Sequence, residues 1–220
     1  MRTRLKVCCI SSVEEAALAV RCGADALGLV AAMPSGPGPI ADELIREIAG
    51  TVPPGIATFL LTCRTDPDGI VEHVLGAGVS TVQLVDEVPA AAYAALRRHA
   101  PGVKIVQVLH VQDDDVLDQA RRVEPDVDVI LLDSGRPEAP VKELGGTGRT
   151  HDWTLSACVV AAVACPVFLA GGIKPTNVEQ AIRAVRPFGI DLCSGVRTDG
   201  RLDEQKLLEL VGAMGRADGA

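Results

Sequence analysis

Aromatic residues are nearly missing from this 220-residue chain, which has one Trp, one Tyr and three Phe. Its core must therefore be built from Val, Leu, Ile and Ala, and with 48% of residues apolar there is enough of them to bury a large one. Clusters of positive charge are missing too. Lys and Arg number 21 against 29 Asp and Glu, a formal net charge of −8, and no basic run has aromatics interleaved. That composition excludes nucleic acid and anionic membrane surfaces as expected partners. A phosphate could bind only where backbone dipoles and a few nearby cations outweigh the global field. Seven cysteines, at 8, 9, 22, 63, 158, 165 and 193, make an odd count without a C-x-x-C spacing, and most lie in apolar runs. Neither a disulfide framework nor a metal site follows from them, and a reducing cytoplasm does. The N-terminus enters a strand-like run directly, with no signal-peptide core. No apolar run approaches the ~18 residues of a membrane span.

What is present is a repeated alternation. Short β-branched, apolar runs stand at Leu5–Ile10, Ala26–Ala31, Ile56–Leu61, Ser80–Val85, Lys104–Leu109, Asp128–Leu132, Val167–Ala170 and Ile190–Cys193. Helical-period segments separate and follow them. Ser12-x-x-Glu15 and Thr176-x-x-Glu179 read as capping boxes. Asp66-Pro67 reads as an N-cap with proline at the first helical position. Acidic residues open the segment Asp115–Val123, where the helix dipole favours them. Asp152 caps the run Trp153–Val163, and the last helix runs from about Asp203 to Met214. Eight strand–helix units in a chain of this length predict a single-domain (β/α)8 barrel over 1–220, with a frayed tail from about 216. A doubly wound open sheet is the runner-up. The first strand–helix turn, Ile10-Ser11-Ser12, lacks the G-x-G-x-x-G fingerprint such a sheet would carry for a dinucleotide.

In such barrels the chemistry sits at the C-terminal ends of strands. Side-chain alternation puts Lys6, Cys8 and Ile10 on one face of the first strand and turns Cys8 into the mouth. Cys8 reads either as a small core residue or as a reactive thiol. Asp133 ends the sixth strand in phase with Val129 and Leu131, and reads either as a turn-capping carboxylate or as an acid. His151 reads as a solvated loop residue. After Asp133 a long loop leads to Gly145-Gly146-Thr147-Gly148. Paired glycines, Gly171-Gly172, follow the seventh strand, and Ser194-Gly195 follows the eighth. Glycine-rich turns after consecutive strands fit a phosphate site, because they let backbone N–H groups approach the anion.

These residues carry a resemblance over nearly the whole chain. Lys6-Val7-Cys8, Gly23-Ala24-Asp25-Ala26-Leu27-Gly28, Val82-Gln83-Leu84 and Leu131-Leu132-Asp133 support it. Gly145-Gly146-Thr147-Gly148-Arg149-Thr150-His151-Asp152-Trp153, the stretch from Leu169 to Val178 and Gly189–Val196 carry most of it. The sequence resembles the phosphoribosylanthranilate isomerase family of tryptophan biosynthesis. The resemblance implies an Amadori rearrangement of N-(5-phosphoribosyl)anthranilate to the 1-deoxyribulose isomer. Cys8 would match the general base acting at C2 of the ribose, and Asp133 the general acid that opens the ring. Gly146, Gly148, Gly171, Gly172, Ser194 and Gly195 would hold the 5-phosphate. Lys6, Asp191, Arg64 and Arg197 are further substrate-binding candidates. The implied partner is a small phosphorylated sugar-amine, with no cofactor and no metal, and the implied assembly is a monomer or homodimer.

Four departures stand out against the family's usual pattern. Cys9 replaces a glycine. Gly36-Pro37-Gly38 stands where Ser-x-Arg supplies a carboxylate-binding arginine. Val85-Asp86-Glu87 stands where His-Gly follows Gln-Leu. Cys193-Ser194-Gly195-Val196-Arg197 stands for Ser-Ser-Gly-Val-Glu. Arg64 is the candidate replacement for the lost arginine, and Arg197 a candidate cation for the phosphate. Three alternatives follow: the same isomerisation on a different N-ribosylamine, an idle phosphate-binding barrel, and a related-barrel isomerase of histidine biosynthesis. An idle barrel needs neither Cys8 nor Asp133, and the histidine-pathway enzyme would prefer a carboxylate at position 8.

Overall fold

The computed structural model describes residues 2–145 and 148–219. Eight parallel strands close into a barrel in chain order: β1 (Arg4–Val7), β2 (Ala26–Val30), β3 (Ala57–Thr62), β4 (Thr81–Leu84), β5 (Lys104–His110), β6 (Val129–Asp133), β7 (Val167–Leu169) and β8 (Gly189–Leu192). The closing pair is β1 with β8, in register Lys6↔Asp191 and Val7↔Leu192. Among the described residues the outer layer is α1 (Val13–Arg21), α2 (Asp42–Thr51), α3 (Pro67–Ala77), α4 (Ala90–His99), α5 (Asp115–Val123), α6 (Trp153–Ala162), α7 (Val178–Val185) and α8 (Glu204–Asp218). No described helix is long and apolar enough to cross a membrane.

The strand periodicity sorts side chains into two cores. Leu5, Val7, Leu27, Leu29, Val82, Leu84, Ile130 and Leu132 face the helices. Cys8, Ala26, Phe59, Val106, Val108, Leu131 and Phe168 fill the barrel. Two of the three Phe lie there. The rings of Phe59 and Phe168 meet edge to face at 6.2 Å, and Phe168 meets Phe188 at 5.6 Å. Gly28 is required by packing on β2: a Cβ there would lie 2.7 Å from Cys8 Sγ and 3.1 Å from Lys6 Nζ.

Helix starts follow the expected capping chemistry in most places. Ser12, Asp66, Asp152 and Asp203 each accept from a first-turn N–H. Thr176 does not cap α7. Asn177 holds that position, and its amide instead ties the loop, accepting from Lys174 N–H at 2.8 Å and donating to Gly172 C=O at 3.0 Å. The first strand stops at Val7, not Ile10, because Cys9 adopts φ 62° and breaks the extended run. The C-terminal helix continues to Asp218 beyond its expected end. Asp218 accepts from the N–H and hydroxyl of Thr3 at 2.9 and 2.6 Å, which anchors the last turn.

Candidate active site

The C-terminal ends of the strands surround one pocket, lined by Cys8, Cys9, Gln83, Asp133, Asp191, Cys193 and the loops after β2, β6, β7 and β8. Its floor is an ion pair. Lys6 is fully buried, and its ammonium lies 2.8 Å from Asp191 and 5.2 Å from the centre of the Phe59 ring. Burial pulls the Lys6 pKa down, but Asp191 outweighs it and the net shift is upward, so Lys6 is a fixed positive charge. Cys8 sits directly above, its sulfur and the ammonium converging on the space over Gly28.

Asp133 closes the opposite wall. Its carboxylate accepts from Ser134 N–H at 2.7 Å, and Gly145 passes so close that a Cβ there would lie 2.6 Å from Oδ2. Burial raises the Asp133 pKa, Asp191 pushes the same way, and the Ser134 N–H, His110 and Lys6 oppose it; the net shift is upward. The site thus places a buried thiol and a carboxyl with raised proton affinity in one pocket.

The glycine-rich end is a set of close backbone approaches. Gly148, Gly171 and Gly172 line the pocket at φ 68°, 82° and 64°. A Cβ on Gly172 would lie 2.7 Å from Thr150 N, and one on Gly195 would lie 2.1 Å from Ile173 O. Ser134 Oγ donates to Arg149 C=O at 2.7 Å and pins the loop after β6 to the loop's own strand. Ser194 lines the same end, and Gly195 packs behind it. Gly146 lies outside the described residues.

The two arginine candidates are engaged elsewhere. Arg64 is exposed, and its guanidinium donates to Gly69 C=O at 3.1 Å on the first turn of α3. Arg197 lies behind the pocket, bridging to Glu15 at 3.0 Å and donating to the carbonyl of Cys9. Neither is among the described residues that line the pocket.

The opposite end is neutral. Met33, Ser35, Gly36, Pro37, Leu61, Val85 and Leu144 form it, and no Lys or Arg is among the described lining residues. The space explains the lost arginine. A Cβ at Gly38, the position aligned with it, would lie 2.5 Å from Cys9 Cβ.

Sequence reasoning misplaced one side chain and missed another. His151 is largely buried rather than solvated, with Nε2 2.7 Å from Ser156 Oγ, and burial pushes its pKa down to about 4. Gln83 is buried in the pocket wall with its Oε1 unpartnered. Its inward phase was readable, since Val82 and Leu84 beside it face the helices.

Fold and pocket together define a (β/α)8 enzyme with acid–base groups at the strand ends. Comparison with known proteins narrows this class. The family model described as N-(5'phosphoribosyl)anthranilate (PRA) isomerase matches residues 5–213. The chain belongs to that family, and hence among aldose–ketose isomerases. It is 37% identical over 210 residues to N-(5'-phosphoribosyl)anthranilate isomerase 2 of Methanosarcina mazei, covering 94% of this chain and 92% of that one. The phosphoribosyl anthranilate isomerase structure from Thermotoga maritima superposes with a TM-score of 0.81 at 29% identity, over 99% of this chain and 100% of that one. Another family structure, in complex with reduced 1-(o-carboxyphenylamino)-1-deoxyribulose 5-phosphate, gives a TM-score of 0.77 at 26% identity over 99% and 100% of the two chains.

Proposed function

We propose that this barrel carries out the family's Amadori rearrangement on N-(5-phosphoribosyl)anthranilate with Cys8 as general base and Asp133 as general acid. The observation that carries the assignment is Asp133: a buried carboxyl with raised proton affinity, in one pocket with a buried thiol. Protonated Asp133 gives its proton to the ribose ring oxygen as the C1–O bond breaks, leaving the protonated imine of the open chain. The Cys8 thiolate then takes the proton from C2, the electrons move into C1=C2, and an enolamine forms. A proton then adds to C1 while the C2 hydroxyl gives up its own, and the ketose results. Lys6 holds a fixed positive charge beneath Cys8, and the imine of the open chain carries a second one. Each positioned transfer contributes roughly 10²–10⁴-fold.

The backbone around Gly148, Gly171, Gly172 and Ser194 receives the 5-phosphate. Asp191 lines the floor on the ribose side. The aromatic amine rests on Met33, Pro37, Leu61, Val85 and Leu144, with its carboxylate held by neutral groups or water. The Amadori step on a different N-ribosylamine is favoured by one observation only, the absence of a cation among the described residues at that end. The test follows substrate fluorescence with N-(5-phosphoribosyl)anthranilate generated in place. Wild type consumes it, and Asp133→Asn does not. Turnover in Asp133→Asn equal to wild type removes the acid assignment. A folded wild type that is idle on this substrate but active on another phosphoribosylamine transfers the chemistry to that substrate.

A further inference from the structure

Three cysteines converge at the mouth where β1 and β8 end. The β1–β8 ladder pairs Val7 with Leu192, and Cys8 N–H donates to Leu192 C=O at 2.8 Å, so Cys193 emerges alongside Cys8 and Cys9. All three line the pocket. The side chain of Cys9 interacts directly with that of Cys193 and also with that of Cys8, so Cys9 stands between them. Cys9 and Cys193 are also two of the positions at which the chain departs from the family pattern, and Arg197, a third, lies against both. Its guanidinium bonds the Cys9 carbonyl and interacts with the Cys193 sulfur, while Glu15 holds it in place. No described group of three His, Cys, Asp or Glu side chains is arranged to hold a metal ion, so the cluster is better suited to sulfur redox chemistry.

We infer that Cys193 and Cys9 form a peroxide-sensitive thiol pair that closes into a disulfide beside the catalytic pocket. Cys193 is the attacking sulfur. Its pKa is lowered by its contact with Cys9 and by Arg197, which stabilises the anion, while the Cys9 pKa is raised, so Cys9 stays a thiol, with its S–H directed to Pro37 C=O at 3.5 Å. Cys193 is also only partly buried, so oxidant can reach it. The thiolate attacks one oxygen of a hydroperoxide: an S–O bond forms, the O–O bond breaks and hydroxide leaves. The Cys9 sulfur then attacks the sulfenic sulfur, losing its proton as water departs. Two thiols and one hydrogen peroxide become one disulfide and two waters, the sulfurs giving up two electrons. The bond from Cys8 N–H to Leu192 C=O holds the two strand ends side by side, so the turns that carry Cys9 and Cys193 start next to each other. The disulfide would draw Cys193, next to Ser194, toward Cys9, next to Cys8, and misplace both ends of the site.

The experiment treats the reduced protein with hydrogen peroxide, alkylates the remaining thiols and maps peptides without reduction. A Cys9–Cys193 linkage is expected, with turnover reduced about tenfold or more by the misplacement and restored by dithiothreitol. Cys193→Ser and Cys9→Gly should each lose the linkage and the reversible component of inactivation, every protein being compared with its own reduced form. The inference is overturned if both thiols stay alkylatable after peroxide, if the linkage maps to Cys8, or if Cys193→Ser is still reversibly inactivated to the same extent. Because the linkage is read by mass and not by turnover, its absence would leave the isomerase reading intact.

Discussion

The two halves of the pocket solve different problems. The half built by β6, β7 and β8 is backbone: left-handed glycines, close main-chain approaches and loops tied by Ser134 and Asn177. The half built by the loops after β2 and β4 is side chain: Met33, Ser35, Pro37 and Val85, with the volume of Cys9 filling the space over Gly38. A subsite made of N–H groups tolerates few changes, since a Cβ on Gly172 or Gly195 would collide with main chain and the other glycines hold left-handed backbone. An aglycone subsite made of side chains can be altered one contact at a time. That difference accounts for a chain that keeps the family's glycine turns while losing its arginine.

Removing the proton-transfer groups should produce the largest effect, and should fall on neither half. Cys8→Ser and Asp133→Asn are each expected to lower kcat by roughly 10²–10⁴-fold with KM little changed. Steady-state kinetics by substrate fluorescence checks this, and a loss appearing mainly in KM would mean the groups bind rather than react. Asp133→Asn carries a second signature. A carboxyl whose folded pKa is raised favours the fold while protonated and loses that contribution as pH rises through the folded pKa. The Asn variant should therefore melt higher than wild type at neutral pH, with the gap shrinking toward pH ~4. Thermal melts across that range measure it.

The backbone half should break on a single methyl. Gly172→Ala puts a Cβ 2.7 Å from Thr150 N at φ 64°, where only glycine is unstrained. The expected cost is about 1–3 kcal/mol of stability and a markedly weaker competition by inorganic phosphate. If the variant keeps full affinity for phosphate, the assignment of that end is wrong.

How much of this was legible beforehand follows the same division. The barrel was readable because parallel strands buried on both faces leave short apolar runs, and because caps such as Asp66-Pro67 mark helix starts from local chemistry alone. That Cys8 and Asp133 face the pocket was readable from strand phase. The fates of Arg64 and Arg197 were not, since a guanidinium's partner depends on contacts distant in sequence: Arg197 meets Glu15, which the sequence assigned only to a capping box. Glu15 does accept from Ser11 N–H at 3.1 Å, but its carboxylate chiefly anchors Arg197 and Leu202 N–H. His151 misled for the same reason, because adjacency to a loop says nothing about the Ser156 side chain that covers it.

The exchange between positions 9 and 38 offers a finer cut through the side-chain half. Gly38→Arg alone forces a Cβ against Cys9 and should destabilise the protein. Cys9→Gly opens that space, and the left-handed backbone at position 9 suits glycine. In a double-mutant cycle the pair should be less damaging than the sum of the singles by about 1 kcal/mol or more. The pair should also lower KM for N-(5-phosphoribosyl)anthranilate relative to Gly38→Arg. Strict additivity in the melts would show that the two positions do not share one space.

The smallest expected effect lies outside both halves, under the glycine-rich loop. His151 titrates near pH 4 in the fold and near ~6.5 when unfolded, so between those values the unfolded chain binds the extra proton. Stability from this residue is complete above pH ~6.5 and declines as pH falls toward 4. His151→Gln keeps a hydrogen-bonding group for Ser156 without the titration, and should flatten that part of the stability curve while leaving the neutral-pH melt nearly unchanged. His151 Nδ1 lies 3.2 Å from where a Gly171 Cβ would stand, and because the folded imidazole stays neutral down to about pH 4, phosphate affinity should follow the same pH course in wild type and His151→Gln above that value. A variant whose phosphate affinity departs from that of wild type in this range would tie the histidine to the loop, whereas equal courses leave the backbone half of the pocket governed by its glycines alone.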